Sequence, residues 1–200
     1  MLPGEKECYQ FSLNNMEIIM RETYTVDIAG VKRNLPLFEV KPGLKIAVLN
    51  ILGDTELVEA SAKELVKKLN QIDYDLIVTA ESKSIPLAHA MSVMNEKQYV
   101  VLRKSYKPYM GDALQVETNS ITTGSEQKLF LDEKDFRLIE GKKVLIVDDV
   151  ISTGSTLEAM RKLMAMAGAT IVEEVAIFTE GDSNEWGGII SLGHLPLFFE

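Results

Sequence analysis

The sequence predicts an α/β fold, in which a doubly wound, mostly parallel sheet carries helices on both faces. Continuous apolar segments rich in branched side chains alternate along the chain with segments whose apolar residues recur at helical spacing. The apolar segments also lack the alternation of polar and apolar residues expected of a strand with one solvent-exposed face. Helices should therefore cover both faces of their sheet. A chain of 200 residues has room for one such domain, and we assign residues 1–200 to it.

The expected elements follow one another in a regular order. The helix that begins after Asp54 ends in lysines, which suit the negative end of its dipole, and the helix of residues 155–167 is closed by Gly168. A hairpin is expected where two alternating segments flank Thr123–Gly124. The expected strands are residues 44–52, 75–80, 98–104, 142–149 and 169–180, and the remaining segments are a helix over about 86–96 and a loop over 105–113.

Composition narrows the class of protein. The net charge of −9 argues against a nucleic-acid or anionic-membrane surface, because such binding draws on a dense positive field. The apolar runs are far shorter than the ~20 residues of a membrane-spanning helix, and the chain starts acidic and polar where a signal peptide is basic and then apolar. The single cysteine, Cys8, cannot form an internal disulfide. We therefore expect a cytoplasmic protein with no nucleic-acid or membrane partner.

The most unusual strand end lies in residues 144–156, VLIVDDVISTGST. A buried-looking strand finishes on two adjacent carboxylates, Asp148 and Asp149, and small hydroxylated residues, a glycine and a helix start follow. The N–H groups of a first helical turn, after a tight glycine turn, form an anion site of the kind that binds a phosphate monoester. Acceptor-only carboxylates beside it suit a vicinal diol, so the pattern favours ribose 5-phosphate. A solvated Asp pair before an ordinary helix cap fits the pattern about equally well.

The same segment resembles the signature by which type I phosphoribosyltransferases bind phosphoribosyl diphosphate (PRPP). The resemblance implies an enzyme that transfers a 5-phosphoribosyl group to a nucleobase and releases pyrophosphate. It also implies that Asp148 and Asp149 contact the ribose hydroxyls and act in catalysis, while residues 152–156 hold the 5-phosphate. The full set implied to bind the ribose 5-phosphate is Asp148, Asp149, Val150, Ile151, Ser152, Thr153, Gly154, Ser155 and Thr156.

Weaker motifs fall in the order typical of this family. ESKS (81–84) lies where these enzymes have a pyrophosphate loop, although Lys83 and Ser84 stand where the adenine branch usually has arginine and glycine. Lysine keeps the charge of arginine but loses its two-pronged fit to phosphate. The residues implied to bind pyrophosphate are Glu81, Ser82, Lys83, Ser84, Arg103, Lys104 and Lys107.

RKSYKPYMG (103–111) is similar to the start of the mobile catalytic loop of the family, and loop 104–118 is the expected lid. Lys104 and Lys107 are implied to act in catalysis through their charge. The resemblance also implies Mg²⁺ as a cofactor that arrives with PRPP and takes no ligand directly from the protein.

The base site is expected beyond the last long strand, under a hood formed by residues 1–45 and 181–200. SLGHLPLF (191–198) resembles the segment of these enzymes that closes over a purine. A carboxylate at Glu180 would accept from an exocyclic amine and repel a carbonyl oxygen, which favours adenine. Further residues considered for the base site are Phe178, Arg33 and Glu117, and the single Trp186 is a candidate either for stacking on a base or for packing.

The sequence thus predicts a purine phosphoribosyltransferase of nucleotide salvage, with adenine favoured and with PRPP and a purine base as its ligands. The family resemblance implies a homodimer. Two alternatives stay open: a PRPP-binding regulatory protein without turnover, and a xanthine- or guanine-specific phosphoribosyltransferase. Regulators that act on DNA usually carry a helix-turn-helix and a basic face, and residues 1–45 show neither.

Overall fold

The computed structural model describes residues 21–119 and 126–199. Its helices are α1 (Thr55–Lys68), α2 (Ile85–Asn95), α3 (Glu133–Ile139) and α4 (Ser155–Met166), and short 3₁₀ turns cover Pro108–Met110 and Ser183–Trp186. Its strands are β1 (Thr23–Ile28), β2 (Val31–Lys41), β3 (Leu44–Ala47), β4 (Leu76–Ala80), β5 (Gln98–Leu102), β6 (Leu114–Asn119), β7 (Glu126–Leu131), β8 (Lys143–Ile151), β9 (Thr170–Glu180), β10 (Ile190–Leu195) and β11 (Phe198–Phe199).

The central sheet contains five strands in the order β10-β9-β8-β4-β5, and every neighbouring pair is parallel. Helices α1 and α2 pack on one face, against alternate residues of β8 such as Leu145 and Val147. Helix α4 packs on the other face, against Val144 and Ile146. All five residues of β4 are buried, which explains why its sequence is almost continuously apolar. The predicted doubly wound α/β fold is therefore confirmed.

Helix α1 begins and ends where its sequence indicates. The Asp54 side chain accepts the Leu57 N–H at 3.2 Å and so caps the start of α1. Lys67 and Lys68 lie in the last turn of α1, where they stabilise the helix dipole. None of the helices in the two described ranges is both long and apolar enough to cross a membrane.

A second, antiparallel sheet in the order β1-β2-β3-β11 joins the two ends of the described chain. The expectation of a strand over 44–52 needs correction here. Only Leu44–Ala47 are a strand, and they pair with β2 and β11 instead of entering the central sheet. Leu49 and Ile51 are nevertheless buried in the core shared with α1. Their apolar character reflects burial of an irregular segment, which a short apolar run does not distinguish from a strand.

Strands β6 and β7 form the expected antiparallel hairpin, in register from Leu114 opposite Leu131 to Asn119 opposite Glu126. The expected turn at Thr123–Gly124 lies outside the described residues. The hairpin packs against α4 through a cluster that includes Val116 and Leu129. Helix α3, which sequence reasoning did not predict, follows directly after β7.

Candidate active site

The carboxyl ends of β4, β8 and β9 meet at one edge of the central sheet, since these strands are neighbours in parallel register. Each end carries residues that the sequence singled out: segment 81–84 follows β4, Asp148 and Asp149 lie near the end of β8, and Glu180 ends β9. Ligands of open parallel sheets bind at this edge. The fold therefore brings the three predicted groups to one crevice.

The segment between β8 and α4, residues 152–156, surrounds a small cavity; we call this segment the phosphate loop. The cavity measures about 40 Å³ and is lined by Asp148 and residues 150–157. Gly154 precedes α4 at φ +72°, a left-handed conformation that glycine adopts without strain. No side chain caps the first turn of α4, and the Thr153 and Ser155 hydroxyls lie 3.1 Å apart beside it. The arrangement offers N–H and O–H donors to an anion.

The Asp pair is nearly buried, with 8% of Asp148 and 9% of Asp149 exposed. The Asp149 backbone N–H donates to Asp148 Oδ1 at 2.9 Å. Burial raises the pKa of Asp148 to about 7, and the charge of Asp149 adds to this shift. Hydroxyl groups that donate to a carboxylate favour its ionised form. A diol bound here would therefore lower the pKa of the Asp148 carboxyl and favour its ionised form near neutral pH.

Ser84 faces inward from the start of α2 and is 2% exposed. Its hydroxyl donates to the Ala80 carbonyl at 3.1 Å and lies 2.9 Å from the hydroxyl of Thr79, which also reaches the Val147 carbonyl at 2.8 Å. A hydrogen bond from Ser84 partly offsets the rise in the pKa of Asp148. Ser84 thus connects segment 81–84 to β4 and, through Thr79, to β8. Thr79, which sequence reasoning missed, is the one polar residue of β4.

Glu81 links the segment after β4 to the segment after β5, and its peptide bond to Ser82 is cis. Glu81 Oε1 accepts Arg103 Nε at 2.6 Å, and Oε2 accepts the Lys104 backbone N–H at 2.8 Å. The ion pair with Glu81 raises the pKa of Arg103 further above its usual value. The backbone of Arg103 pairs with Phe130 of β7. Arg103 is therefore held by two separate parts of the fold: Glu81 binds its guanidinium, and β7 binds its backbone.

The three candidate lysines occupy different settings. Lys83 Nζ donates to the Leu49 carbonyl at 3.2 Å, in the irregular segment between β3 and α1. Lys104 and Lys107 are exposed on the loop after β5. The structure thus leaves the two loop lysines facing solvent and holds the ammonium of Lys83 against the backbone.

The expected lid, residues 104–118, is anchored along its length. Met110 is 1% exposed, and the Tyr106 hydroxyl donates to the Gly111 carbonyl at 3.2 Å. Glu133 at the start of α3 accepts the Asp112 N–H at 3.1 Å, and its Oε2 lies 2.0 Å from the position a Cβ on Gly111 would occupy. The second half of the segment, from Leu114, is strand β6. The contact with Glu133 has no signal in the sequence.

Glu180 and Phe178 lie at the end of β9 beside the crevice. Glu180 is 7% exposed, and burial raises the pKa of its carboxyl. Phe178 is 3% exposed, and its ring lies 2.7 Å from the position of a Cβ on Gly193 of the neighbouring strand β10. The Phe178 ring is thus part of the core, whereas Glu180 is a largely desolvated acid at the strand end.

The two remaining base candidates are held by ion pairs. Arg33 binds Asp54 through two hydrogen bonds of 2.7 and 2.8 Å and Glu56 through a third of 2.8 Å, at the start of α1. Arg33 lowers the pKa of Asp54. Glu117 of β6 accepts Lys128 Nζ of β7 at 2.5 Å, as a cross-strand pair. A contact of either residue with a base stays a prediction.

Across the part of the chain that the structure describes, no three His, Cys, Asp or Glu side chains cluster so as to hold a metal ion. Carboxylate oxygens of the type that Mg²⁺ prefers are present at Asp148 and Asp149. Mg²⁺ often keeps several waters and binds substrate phosphate oxygens, so the site is compatible with Mg²⁺ that arrives bound to PRPP while the Asp pair faces the ribose hydroxyls.

Comparison with known proteins agrees with this geometry. Residues 49–185 match the family described as the phosphoribosyl transferase domain. A hypoxanthine/guanine phosphoribosyltransferase of Methanothermococcus okinawensis is 30% identical over 174 residues, which are 87% of this chain and 82% of that protein. One from Methanococcus voltae is 32% identical over 177 residues, covering 88% and 82%.

Solved structures show the same fold. The adenine phosphoribosyltransferase of Thermoanaerobacter pseudethanolicus superposes with a TM-score of 0.62 at 22% identity, over 86% of this chain and 95% of that one. The APRTase of Giardia lamblia, complexed with 9-deazaadenine, gives 0.63 at 18% identity, over 86% and 93%. Together with the family match over residues 49–185, these similarities identify the chain as a phosphoribosyltransferase, an enzyme of the type I family and of its purine branch.

Proposed function

We propose that this enzyme transfers the 5-phosphoribosyl group of PRPP to a purine base, with adenine favoured, and releases pyrophosphate. The observation that carries the proposal is the cavity lined by Asp148 and residues 150–157 at the start of α4. It offers donors for a 5-phosphate next to carboxylates for the ribose hydroxyls. The known family chemistry supplies the reaction, and this site supplies the place for its substrate.

On the ribose side, backbone N–H groups of the first turn of α4 and the hydroxyls of Thr153 and Ser155 bind the 5-phosphate. Asp148 and Asp149 accept hydrogen bonds from the 2- and 3-hydroxyls. Fixing both ends of the sugar orients C1 toward the base, and such positioning supplies much of the rate of a displacement. Positive charge that develops on the ribose in the transition state lies close to the Asp pair, which stabilises it.

On the pyrophosphate side, Arg103, Lys104 and Lys107 supply cationic donors. The backbone of residues 81–84 lines the other side, and Lys83 adds charge beside it. Mg²⁺ bound to PRPP would neutralise part of the leaving-group charge, and Asp148 and Asp149 would hold the ribose hydroxyls of that complex. Closure of loop 104–118 over the site, under a hood to which the described residues 21–45 and 181–199 contribute, would exclude water that competes with the base. The rest of the expected hood, residues 1–20 and 200, lies outside the described residues.

The preference for adenine rests on Glu180. An ionised Glu180 accepts from the exocyclic amine of adenine and repels the 6-carbonyl oxygen of hypoxanthine or guanine. A second candidate function, 6-oxopurine transfer, is favoured by one specific observation: burial raises the pKa of Glu180. A neutral carboxyl donates to a 6-carbonyl oxygen and accepts from the adjacent ring N–H, so it binds both classes of purine.

Competition between bases tests this proposal. Adenine and hypoxanthine are supplied together with magnesium PRPP, and the two nucleotides formed are quantified. Adenosine monophosphate should dominate, and its share should rise with pH as Glu180 ionises. Inosine monophosphate as the main product at every pH would reject the adenine preference and leave 6-oxopurine transfer in its place.

Glu180→Gln should shift the preference of the enzyme toward hypoxanthine. The amide keeps an acceptor and gains a permanent donor for the 6-carbonyl oxygen, a hydrogen bond worth about 1 kcal/mol or roughly fivefold in specificity. The ratio of kcat/KM for hypoxanthine and adenine measures this shift, and Glu185→Gln, which changes an exposed acid in the 3₁₀ turn after β9, is the matched control. An unchanged ratio would remove Glu180 from the base site.

We also propose that the enzyme is a homodimer. A groove of about 350 Å³ between α1 and α2 is lined mainly by apolar residues, among them Val93 and Met94, which are 65% and 43% exposed; Asp54, Glu59 and His89 also line it. A second copy seated there would cover this surface. Light scattering across a concentration series should give twice the chain mass, and Val93→Glu should shift the mass toward one chain. One chain mass for the unaltered protein at all concentrations would contradict the proposal.

A further inference from the structure

Trp186 makes two contacts that join the end of β9 to the phosphate loop. It is the single tryptophan of the sequence and lies partly buried against the cluster around α4. Its Nε1–H donates to the Glu180 carbonyl at 2.8 Å. At its other end, the ring atom Cη2 lies 2.9 Å from the position a Cβ on Gly154 would occupy. One rigid side chain therefore spans from the base end of the crevice to the phosphate end.

The contact restricts the phosphate loop. Two features favour glycine at position 154. Its backbone has φ +72°, which other residues rarely adopt, and the indole of Trp186 occupies the space that a side chain would need. The loop backbone rests directly on the ring. Any shift of the ring relative to β9 also stretches its hydrogen bond to the Glu180 carbonyl. Movement of the loop and movement of the strand end are thus mechanically linked.

We propose that Trp186 is a positioning residue that sets the separation between the phosphate loop and the strand end at Glu180. This inference rests on the proposed function, in which those two places hold the 5-phosphate and the base. The covalent structure of the nucleotide fixes the distance between its phosphate and its base. A site that holds both must match that distance, and a misplacement of about 1 Å costs about 10²-fold in rate. Trp186 contacts neither the base nor the phosphate in this role.

The first test uses the fluorescence of Trp186 in the unaltered enzyme. Ribose 5-phosphate alone, without a base, should change the emission, because it fills the loop on which the ring packs. The change should saturate with the dissociation constant that calorimetry gives for the same ligand. As the chain has one tryptophan, no other indole contributes. Calorimetric binding without an emission change would overturn the proposal and leave the phosphate loop assignment intact. No calorimetric binding would reject both.

The second test separates positioning from packing. Trp186→Phe keeps a ring and loses the N–H donor, whereas Trp186→Leu loses both contacts. We expect kcat/KM for PRPP to fall about threefold and about thirtyfold respectively, with most of the loss in KM for PRPP. Phe136→Leu is the matched control, because Phe136 packs against the same cluster from α3, which follows β7 and not β8. An equal loss of activity in Phe136→Leu, at equal thermal stability, would contradict a positioning role.

A double-mutant cycle makes the contact itself measurable. Gly154→Ala should weaken ribose 5-phosphate binding strongly, through its φ and through the clash with the ring. Trp186→Leu removes that clash, so adding it to Gly154→Ala should restore part of the affinity, although alone it lowers affinity. Such non-additivity is expected of residues that are in contact or coupled through a shared backbone shift, and not of independent sites. Strictly additive effects on affinity would show that the ring does not restrain the loop.

Discussion

Asp149→Asn is expected to lower kcat/KM for PRPP by about 10- to 100-fold. A hydrogen bond to a charged group contributes about 1.5–3 kcal/mol, and each 1.36 kcal/mol corresponds to about tenfold in rate. The amide has no negative charge to place next to the ribose. It also replaces one acceptor oxygen by an NH₂ group, which cannot accept a hydrogen bond from a ribose hydroxyl. Steady-state kinetics at saturating base measure the loss. Asp182→Asn, in the exposed turn after β9, is the control.

Asp148→Asn should remove a pH dependence as well as activity. Because burial raises the pKa of Asp148 to about 7, its carboxyl is neutral in the unliganded enzyme at lower pH. Ribose hydroxyls favour the ionised form, so ligand affinity should rise with pH up to about 7 and then level off. The 5-phosphate titrates in the same range, and the Asn variant retains only that contribution. The ratio of the ribose 5-phosphate affinities of the unaltered enzyme and Asp148→Asn, measured across pH, therefore isolates the contribution of Asp148.

The same substitution should stabilise the unliganded protein at higher pH. The pKa of Asp148 in the folded state lies above its unfolded value of 3.8. Its stabilising contribution is therefore complete below pH 4 and is lost as the pH rises to about 7. Asp148→Asn avoids that loss, so the gain in thermal stability over the unaltered protein should grow between pH 4 and 7. Equal stability and equal PRPP kinetics in the Asn variants of both aspartates would exclude the pair from the site.

Arg103→Ala should lower kcat by about 10²–10³-fold and leave the affinity for ribose 5-phosphate nearly unchanged. Removing one donor from a developing negative charge has a cost of this size, and ribose 5-phosphate has no pyrophosphate for Arg103 to contact. The backbone of Arg103 still pairs with Phe130, so the strand connection should survive. Kinetics with PRPP and calorimetry with ribose 5-phosphate give the two quantities.

Glu81→Gln tests whether turnover depends on the orientation of the Arg103 side chain, because it weakens the ion pair and leaves the charge of Arg103 in place. The amide oxygen still accepts one donor, but the ion pair with Arg103 and the second carboxylate contact with Lys104 are weakened. An intermediate loss of kcat is expected, smaller than that of Arg103→Ala. Arg137→Ala, an exposed arginine in α3, should have no effect. Equal losses for PRPP turnover and ribose 5-phosphate binding in Arg103→Ala would mean that this region is structural.

The sequence predicts the parts of the molecule that depend on short stretches of chain. The continuous apolar run before Asp148 predicts β8, and the hydroxylated residues with Gly154 predict the turn from which α4 starts. Local pattern does not distinguish a strand from a buried irregular segment, and so only Leu44–Ala47 of the expected strand 44–52 form one. Helix α3 has seven residues, too few for a helical period to stand out.

Contacts between distant parts of the chain had no comparable signal. Arg33 pairs with Asp54 across 21 residues, and Lys83 reaches the Leu49 carbonyl across 34. The ring of Trp186 lies on Gly154, although the two residues occupy different loops. Each of these contacts joins segments that are distant in sequence and that only the fold brings together. The sequence could therefore predict which residue types lie at the neighbouring strand ends, whereas it could not predict the partners that orient them.

Pyrophosphate release from magnesium PRPP, measured with each of adenine, hypoxanthine, guanine and xanthine in turn, tests the central claim most directly. We predict release that requires a purine, is fastest with adenine and falls about 10- to 100-fold in Asp149→Asn. Absence of release with every purine, from a protein that binds ribose 5-phosphate by calorimetry, would contradict purine transfer at this site.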